Sequence, residues 1–379
     1  MNIVKREGFK FGIGTVLAFL LTFGIPGVSR ANESVDIVNL DLANSIQMAK
    51  DMDAGLDLLR DQIIIERDDY EDSLDQYQEY QKNRSLFASM SNLERAKVGN
   101  EYYVIQSLAS YQKAVRDLEE AQQNIEYEIT QRWYALLLAD ENLTLAVSAR
   151  DRAESNLTLV EKKVELGDAV LLDATLATNR LLAAEDMVHS RQEDVWLAQM
   201  RFKHLLGLEL QQEIHLNGSW SDLSIPKSSQ SINQDEFLAG LMQSNSVVLE
   251  SKTSLELESI QFDLFVSIYH RVNKEFEDYQ YRYDQAHLTY DNAIHDALLG
   301  IYEDYYGLLR TERYQEEMLR ERAYQETLYE QTELLYSLGE TSLNELLVAE
   351  ENLFSNAVQL NQADMDLLLS YMHWMMMYE

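Results

Sequence analysis

Along most of the chain apolar residues return every three or four positions. Leu137, Leu143, Ala146, Ala153, Leu157, Val160 and Val164 form one such series, which predicts a helix whose apolar stripe faces neighbouring helices in a bundle or a barrel of coiled coils. From Ser91 to Leu166 Gly99 alone interrupts the pattern, allowing a helix of about 65 residues, roughly 100 Å at 1.5 Å per residue. The chain holds two prolines, Pro26 and Pro226, so nearly all of it lacks the residue that most strongly breaks helices. Alternating β-branched and aromatic runs ended by turn dipeptides are missing, and the stretch from Glu101 to Gln106 is the one short strand candidate.

Two Leu-Gly pairs punctuate the helical pattern. Leu166-Gly167 is followed by Asp168, and Leu338-Gly339 by Glu340, Thr341 and Ser342. Glycine just past a helix end supplies a left-handed C-cap, and Ser342 with Glu345 has the spacing of a capping box that opens the next helix. Each pair therefore predicts the tip of a helical hairpin. The two tips belong to an internal repeat. A shift of 172 places Ile129 on Ile301, Tyr134 on Tyr306, Leu136 and Leu137 on Leu308 and Leu309, Gly167 on Gly339, Leu171 on Leu343, Asp173 on Glu345 and Ala177 on Ala349. The beginnings of the halves, Asp41 to Ile46 and Glu236 to Leu241, correspond at a shift of 195. The first half thus carries 23 more residues than the second, the difference between 195 and 172, somewhere between Leu59 and Ile125. A stretch rich in Gly, Ser, Asn and Pro separates the halves. The reading is a segment 1–31, a first repeat 32–214, a linker 215–232 and a second repeat 233–379.

Composition narrows the setting. An apolar share of 46% in 379 residues argues for a folded chain. Lys5, Arg6 and Lys10 precede an apolar run from Phe11 to Val28 and then Ser29-Arg30-Ala31, the layout of an export signal cleaved after Ala31; the run also approaches the length of a retained membrane anchor. The formal charge of −34 excludes nucleic acid as a partner, because phosphate binding needs a basic footprint. It fits either a well-solvated surface or an electronegative lumen that favours cations. With no cysteine, disulfides, thiolate metal sites and a lipid-modified N-terminal Cys are unavailable.

Two tandem halves, each opening with a short helix of the type Leu40 to Ala49, each with a Tyr-x-Leu-Leu segment (Tyr134 to Leu137, Tyr306 to Leu309) and each with a Leu-Gly turn followed by a leucine and an acidic residue, resemble the TolC-like outer-membrane efflux proteins. The likeness covers nearly all of the chain after residue 31. It implies an all-α assembly in which three chains place six hairpins around a lumen, with no cofactor and no bond chemistry. It also implies an adaptor (membrane-fusion protein) and an inner-membrane transporter as partners. The Leu-Gly turns would be the end that meets the adaptor, through Leu166, Gly167, Asp168, Val170 and Leu171 with Leu338, Gly339, Thr341, Ser342 and Leu343. Asp173 and Glu345 would project toward the narrow end of the channel as charged rings. One departure stands out. The family carries two β-strands per half, which three chains close into a membrane barrel, and neither half here shows the lipid-facing alternation such strands need. The expectation is a duct without a β-barrel, its helices turning near Ser89 to Asn92 and near Ser267 to Asn273, with outer-membrane insertion in doubt and a wall-crossing duct in a single-membrane cell as the other setting.

Each candidate has a plainer reading. Gly and Ser at the tips are explained by helix capping alone, and Glu345 by the capping box. His287 and His295 are eight apart but complete no metal spacing, and Tyr279, Tyr283, Tyr290, Tyr302, Tyr305 and Tyr306 fit helix packing better than a ligand-stacking wall. Phosphate loops and nucleophile elbows are missing, so no residue supports an enzyme. The C-terminal run Tyr371 to Tyr378, rich in Met, should pack on a neighbouring helix or a partner. The rival to a duct is a coiled-coil spacer of the cell envelope that does not transport.

Overall fold

The computed structural model describes residues 37–223, 240, 245–269 and 274–378. The segment 1–31 read as an export signal, most of the linker and most of the opening of the second half lie outside the described residues. What is described is dominated by helix. Strand β1 (Val38–Leu40) leads to helices α1 (Leu42–Met52), α2 (Ala54–Lys82), a 3-10 turn (Arg84–Phe87), α3 (Asn92–Gly99), α4 (Tyr102–Leu166) and α5 (Leu171–Leu205). Strand β2 (Ile214–Leu216) follows, then α6 (Ser246–Tyr269), α7 (Phe276–Leu338) and α8 (Leu343–Tyr378). Asp41 and Asp53 separate the first helices by capping them, accepting the N–H of Asn44 at 2.8 Å and of Leu56 at 3.1 Å.

The long helices α4 and α7, of 65 and 63 residues, are the through-going staves, each roughly 95–100 Å long. They run from one end, here the rim, to the Leu-Gly tips. Shorter helices return beside them. Near the tips the lateral order is α5, α4, α8, α7; near the rim it is α2, α4, α6, α7. At both levels neighbouring helices are antiparallel, and the cores form where they touch. The equatorial core gathers Trp133, Leu136, Leu137, Phe202, Leu206 and Trp220, with the Trp133 and Phe202 rings edge to face at 5.9 Å. A second core near the tips holds Val160, Ala177, Tyr336, Leu343 and Leu346, and a third joins Ile301 and Leu308 to Leu367 and Trp374. The C-terminal run thus packs in part on α7, as its composition implied.

Three details differ from what the sequence suggests. The helix read as unbroken from Ser91 is divided: Ser91 caps α3, and the chain bends at Asn100 and Glu101 before α4. Glu101 takes φ 61°, the one non-glycine residue with positive φ among those described, a conformation costing about 1–2 kcal/mol. Gly99 ends α3, and the ring of Tyr80 lies 2.7 Å from where a Cβ on it would be, so this close approach requires glycine. The strand candidate from Glu101 to Gln106 is accordingly helical from Tyr102 on. The strands that do exist are three residues each and parallel, Val38 opposite Ile214 and Leu40 opposite Leu216. They tie the start of the first half to its end, across the boundary at 214 and 215, and they are too short to leave an alternation in sequence.

The rim explains the extra length of the first half. α2 runs further than α6, the 3-10 turn packs on α2, and α3 then folds back over α6. There the Gln261 amide donates to the Tyr102 hydroxyl at 2.7 Å in a buried contact. In the second half α6 ends at Tyr269 and α7 starts at Phe276, with Ser267 still helical and 270–273 outside the described residues. Among the described residues no strand other than β1 and β2 is present, and none closes a barrel.

Candidate functional site

The two Leu-Gly turns are built alike. Gly167 and Gly339 are left-handed, with φ 83° and 77°, and the following N–H groups, of Asp168 and Glu340, return to Lys163 O and Leu335 O at 2.8 and 2.9 Å. That closure satisfies the last carbonyls of α4 and α7. The next helix starts differently in each half. At the second tip Glu345 and Ser342 form a reciprocal capping box: the Glu345 carboxylate accepts from Ser342 N at 3.0 Å and from the Thr341 and Ser342 hydroxyls, while Glu345 N donates to Ser342 Oγ at 3.3 Å. The Thr341 hydroxyl, then the Ser342 groups, hold the Glu345 carboxyl below its ordinary value. At the first tip Asp173 accepts from Val170 N at 3.1 Å, but valine has no acceptor to answer with, so only half of the box exists.

Side-chain exposure separates the tips further. Leu166 and Leu171 are 77% and 76% exposed, with Val170 and Leu172 exposed beside them and Asp168 exposed at the turn. At the second tip Leu338 is 65% exposed and Ser342 is open to solvent, with Thr341 half-buried. Leu343, however, is 5% exposed and belongs to the core with Val160, Ala177 and Tyr336. It shapes the tip from inside and presents no face to a partner, a correction to the sequence reading that grouped it with the outward residues. Asp173 and Glu345 both occupy first turns as caps, and the fold leaves Glu345 exposed and Asp173 half-buried.

Contacts that the sequence did not disclose join the two hairpins. Lys163 donates to Tyr336 O at 2.5 Å and sits 3.9 Å above the Tyr336 ring, placing a cation at the carbonyl end of α7. Two turns of α4 further from the tip, Asn156 donates to Glu350 at 3.2 Å. Glu350 is 1% exposed. Burial pushes its carboxyl above the usual carboxylate range, against the pull of Arg180 and Arg152 and the Asn156 hydrogen bond, and Glu333 raises it further. Asn142 and Asn361 join the same seam at 3.2 Å. By helical spacing the buried Ala146, Ala149 and Ala153 share the face of α4 that carries Asn142 and Asn156, and Ala349, Ala357 and Ala363 of α8 are also buried. The seam between hairpins is thus polar and small-residue, whereas the tip core relies on Leu343, Leu346 and Tyr336. A lone Asn or Glu amid heptad-spaced alanines was the signal available.

Among the described residues no group of three or more His, Cys, Asp or Glu is placed to hold a metal ion. What the arrangement offers is an exposed apolar knob, a polar capped knob and two unpaired lateral edges.

Such a fold is that of the TolC-type outer-membrane channels. Among solved structures the chain is similar to CusC (15% identity, 88% of this chain and 90% of that chain, TM-score 0.64) and to the outer-membrane channel OprN (14% identity, 89% of each chain, TM-score 0.64). It is also similar to the open state of the MtrE outer-membrane channel of Neisseria gonorrhoeae (10% identity, 89% of this chain and 88% of that chain, TM-score 0.64). At these identities the likeness is one of fold. No protein-family model and no curated protein matches the chain.

Proposed function

We propose that the chain is the helical exit duct of an efflux or secretion assembly, exported to the cell envelope and working as a homotrimer. The carrying observation is lateral. The order α5, α4, α8, α7 leaves α5 and α7 as open edges, and they run in opposite directions, so α5 of one copy beside α7 of the next continues the antiparallel alternation around a ring. Both edges are apolar where they face outward: Leu182, Trp196 and Leu197 on α5, and Leu299, Tyr302 and Tyr306 on α7 are exposed. Such edges in a soluble monomer mark an interaction surface. Repetition of one heterologous contact closes a ring when the rotation permits, and three copies match the channel fold.

In this reading the lumen is a passive conduit whose acidic wall favours cations. An inner-membrane transporter supplies energy and cargo, and an adaptor hairpin packs on the tips at Leu166, Gly167, Asp168, Val170 and Leu171 and at Leu338, Gly339, Thr341 and Ser342. Asp173 and Glu345, repeated three times, stand nearest the narrow end. Light scattering of the purified chain, alone and with its adaptor, tests the ring; a chain that stays monomeric in both conditions sinks it and leaves the envelope spacer. Photo-crosslinking in the native cell from Ser342 and from Leu171 tests the docking. Capture of a hairpin adaptor is expected at both positions, and capture of wall components alone would reassign the tips.

A further inference from the structure

The end of the molecule opposite the Leu-Gly tips carries a local positive excess in an otherwise acidic set of described helices. From Lys82 to Asn100 four cationic side chains, Lys82, Arg84, Arg95 and Lys97, accompany one carboxylate, Glu94, a net of three positive charges in a chain of formal charge −34. The helix leading there is the reverse, with nine Asp and Glu against Arg60, Arg67 and Lys82 in α2. The stretch that follows α6 has no such excess, since from Arg271 to Arg282 three cations, Arg271, Lys274 and Arg282, are balanced by Glu275, Glu277 and Asp278.

Not all four cations are available. Lys97 lies 3.6 Å from Glu94 and 4.9 Å above the Tyr102 ring, and half-buried Arg95 is bonded to Asn92. Lys82 and Arg84 are exposed, and Arg84 rests over the Tyr80 ring at 5.5 Å. Between them and α3, Leu86 is 59% exposed while its neighbour Phe87 is buried, its ring 5.3 Å from Tyr80. The 3-10 turn holds this arrangement, with Leu86 N donating to Asn83 O at 3.3 Å and Ala88 N to Ser85 O at 3.2 Å. A leucine is therefore held out into solvent beside two exposed cations, at the extremity of an acidic molecule.

We propose that this rim turn, Lys82 to Met90, docks on an anionic membrane surface, with Lys82 and Arg84 at lipid phosphates and Leu86 entering the headgroup boundary. A soluble polyanion would need the cations alone; the outward leucine favours a surface with an apolar layer beneath its charge. No helix among the described residues is long and apolar enough to cross a membrane, so this contact is peripheral, and three copies on one rim add avidity. The inference goes beyond the duct reading, because a non-transporting spacer with the same rim would bind the same surface.

Co-sedimentation of the full chain with vesicles of phosphatidylcholine alone, or mixed with phosphatidylglycerol, tests it. Attachment through residues 1–31, whose Lys5, Arg6 and Lys10 also favour anionic lipid, would be common to the native and the charge-reversed chain, so the difference between these two chains reads the rim. Binding to the phosphatidylglycerol vesicles is expected to exceed that to neutral ones, and Lys82→Glu with Arg84→Glu should weaken it at least about tenfold without altering helical circular dichroism. The chain has no cysteine, so Leu86→Cys accepts a single environment-sensitive dye, expected to shift to the blue only on anionic vesicles. Equal binding to both vesicle types, or undiminished binding by the charge-reversed chain, would overturn the proposal. So would a dye that stays in water while soluble polyphosphate competes for the rim, since that outcome assigns the cations to a polymer.

Discussion

The first and second tips share a backbone and use it differently. Both close with a left-handed glycine, φ 83° at Gly167 and 77° at Gly339, and the same return of the following N–H to the preceding turn. Yet Leu171 points to solvent and its repeat mate Leu343 is buried. The half-box at Val170 and Asp173 becomes a full box at Ser342 and Glu345. Backbone caps repeat because left-handed closure demands glycine in either half. Side chains diverge because the second hairpin starts its returning helix against the first hairpin's α4 and α5, and the first has no comparable cover. The first tip is thus suited to apolar contact and the second to polar contact at the same end of one molecule.

That contrast can be broken by substitution, and the largest effect belongs to the buried side. Leu343→Ala and Leu346→Ala should each cost about 2–5 kcal/mol in urea unfolding, whereas Leu171→Ala should stay within about 0.5 kcal/mol; similar losses at 171 and 343 would mean the tips are equally covered. Next, Gly167→Ala and Gly339→Ala should cost about 1–2 kcal/mol each, and nearly the same, since a Cβ at either meets nothing within 4 Å and only the backbone conformation resists it. Thermal unfolding of the two variants reads that equality. Smaller again, Ser342→Ala should lose about 1 kcal/mol through its cap, while Val170→Ala, which removes no cap, should lose only what a partly exposed methyl pair contributes.

The smallest effect is the most diagnostic, because two glutamates in one helix should bend the pH profile in opposite directions. Burial raises Glu350 above the ordinary 4.5, so the folded chain holds that proton after the unfolded chain has released it. Its stabilisation is complete below pH 4.5 and fades as pH rises through the folded value. Arg152, Arg180 and Asn156 face it and limit the fading, and Glu333 adds to it. Glu345 lies below 4.5 because of its Thr341 and Ser342 hydrogen bonds, so its contribution is present above pH 4.5 and fades as pH falls. Glu350→Gln should therefore flatten the decline in stability between pH 4.5 and neutrality, and Glu345→Gln should flatten the decline on the acid side. Denaturation midpoints across pH for both variants check the signs; Asp364, also raised by burial, keeps some of the first slope in place.

Much of this architecture can be read without coordinates. The 65 residues of α4 follow from a long stretch with no proline and apolar residues every three or four, and both tips from a glycine after a helical stripe. Local chemistry suffices there, since a helix carries its own hydrogen bonds and a left-handed cap needs only glycine. Chain sequence also suggested that the halves repeat, and it fixes the acidic charge and the lack of cysteine. It did not reveal β1 and β2, whose pairing joins residues 38–40 to 214–216, nor the bend at Glu101, nor the approach of Tyr80 to Gly99 from another helix. Nor did it distinguish Leu171 from Leu343, or place Glu350 beside Asn156. Each of these depends on which helix lies alongside, a matter of long-range packing, and identical residues at equivalent positions acquire different burial once two hairpins meet along a single seam.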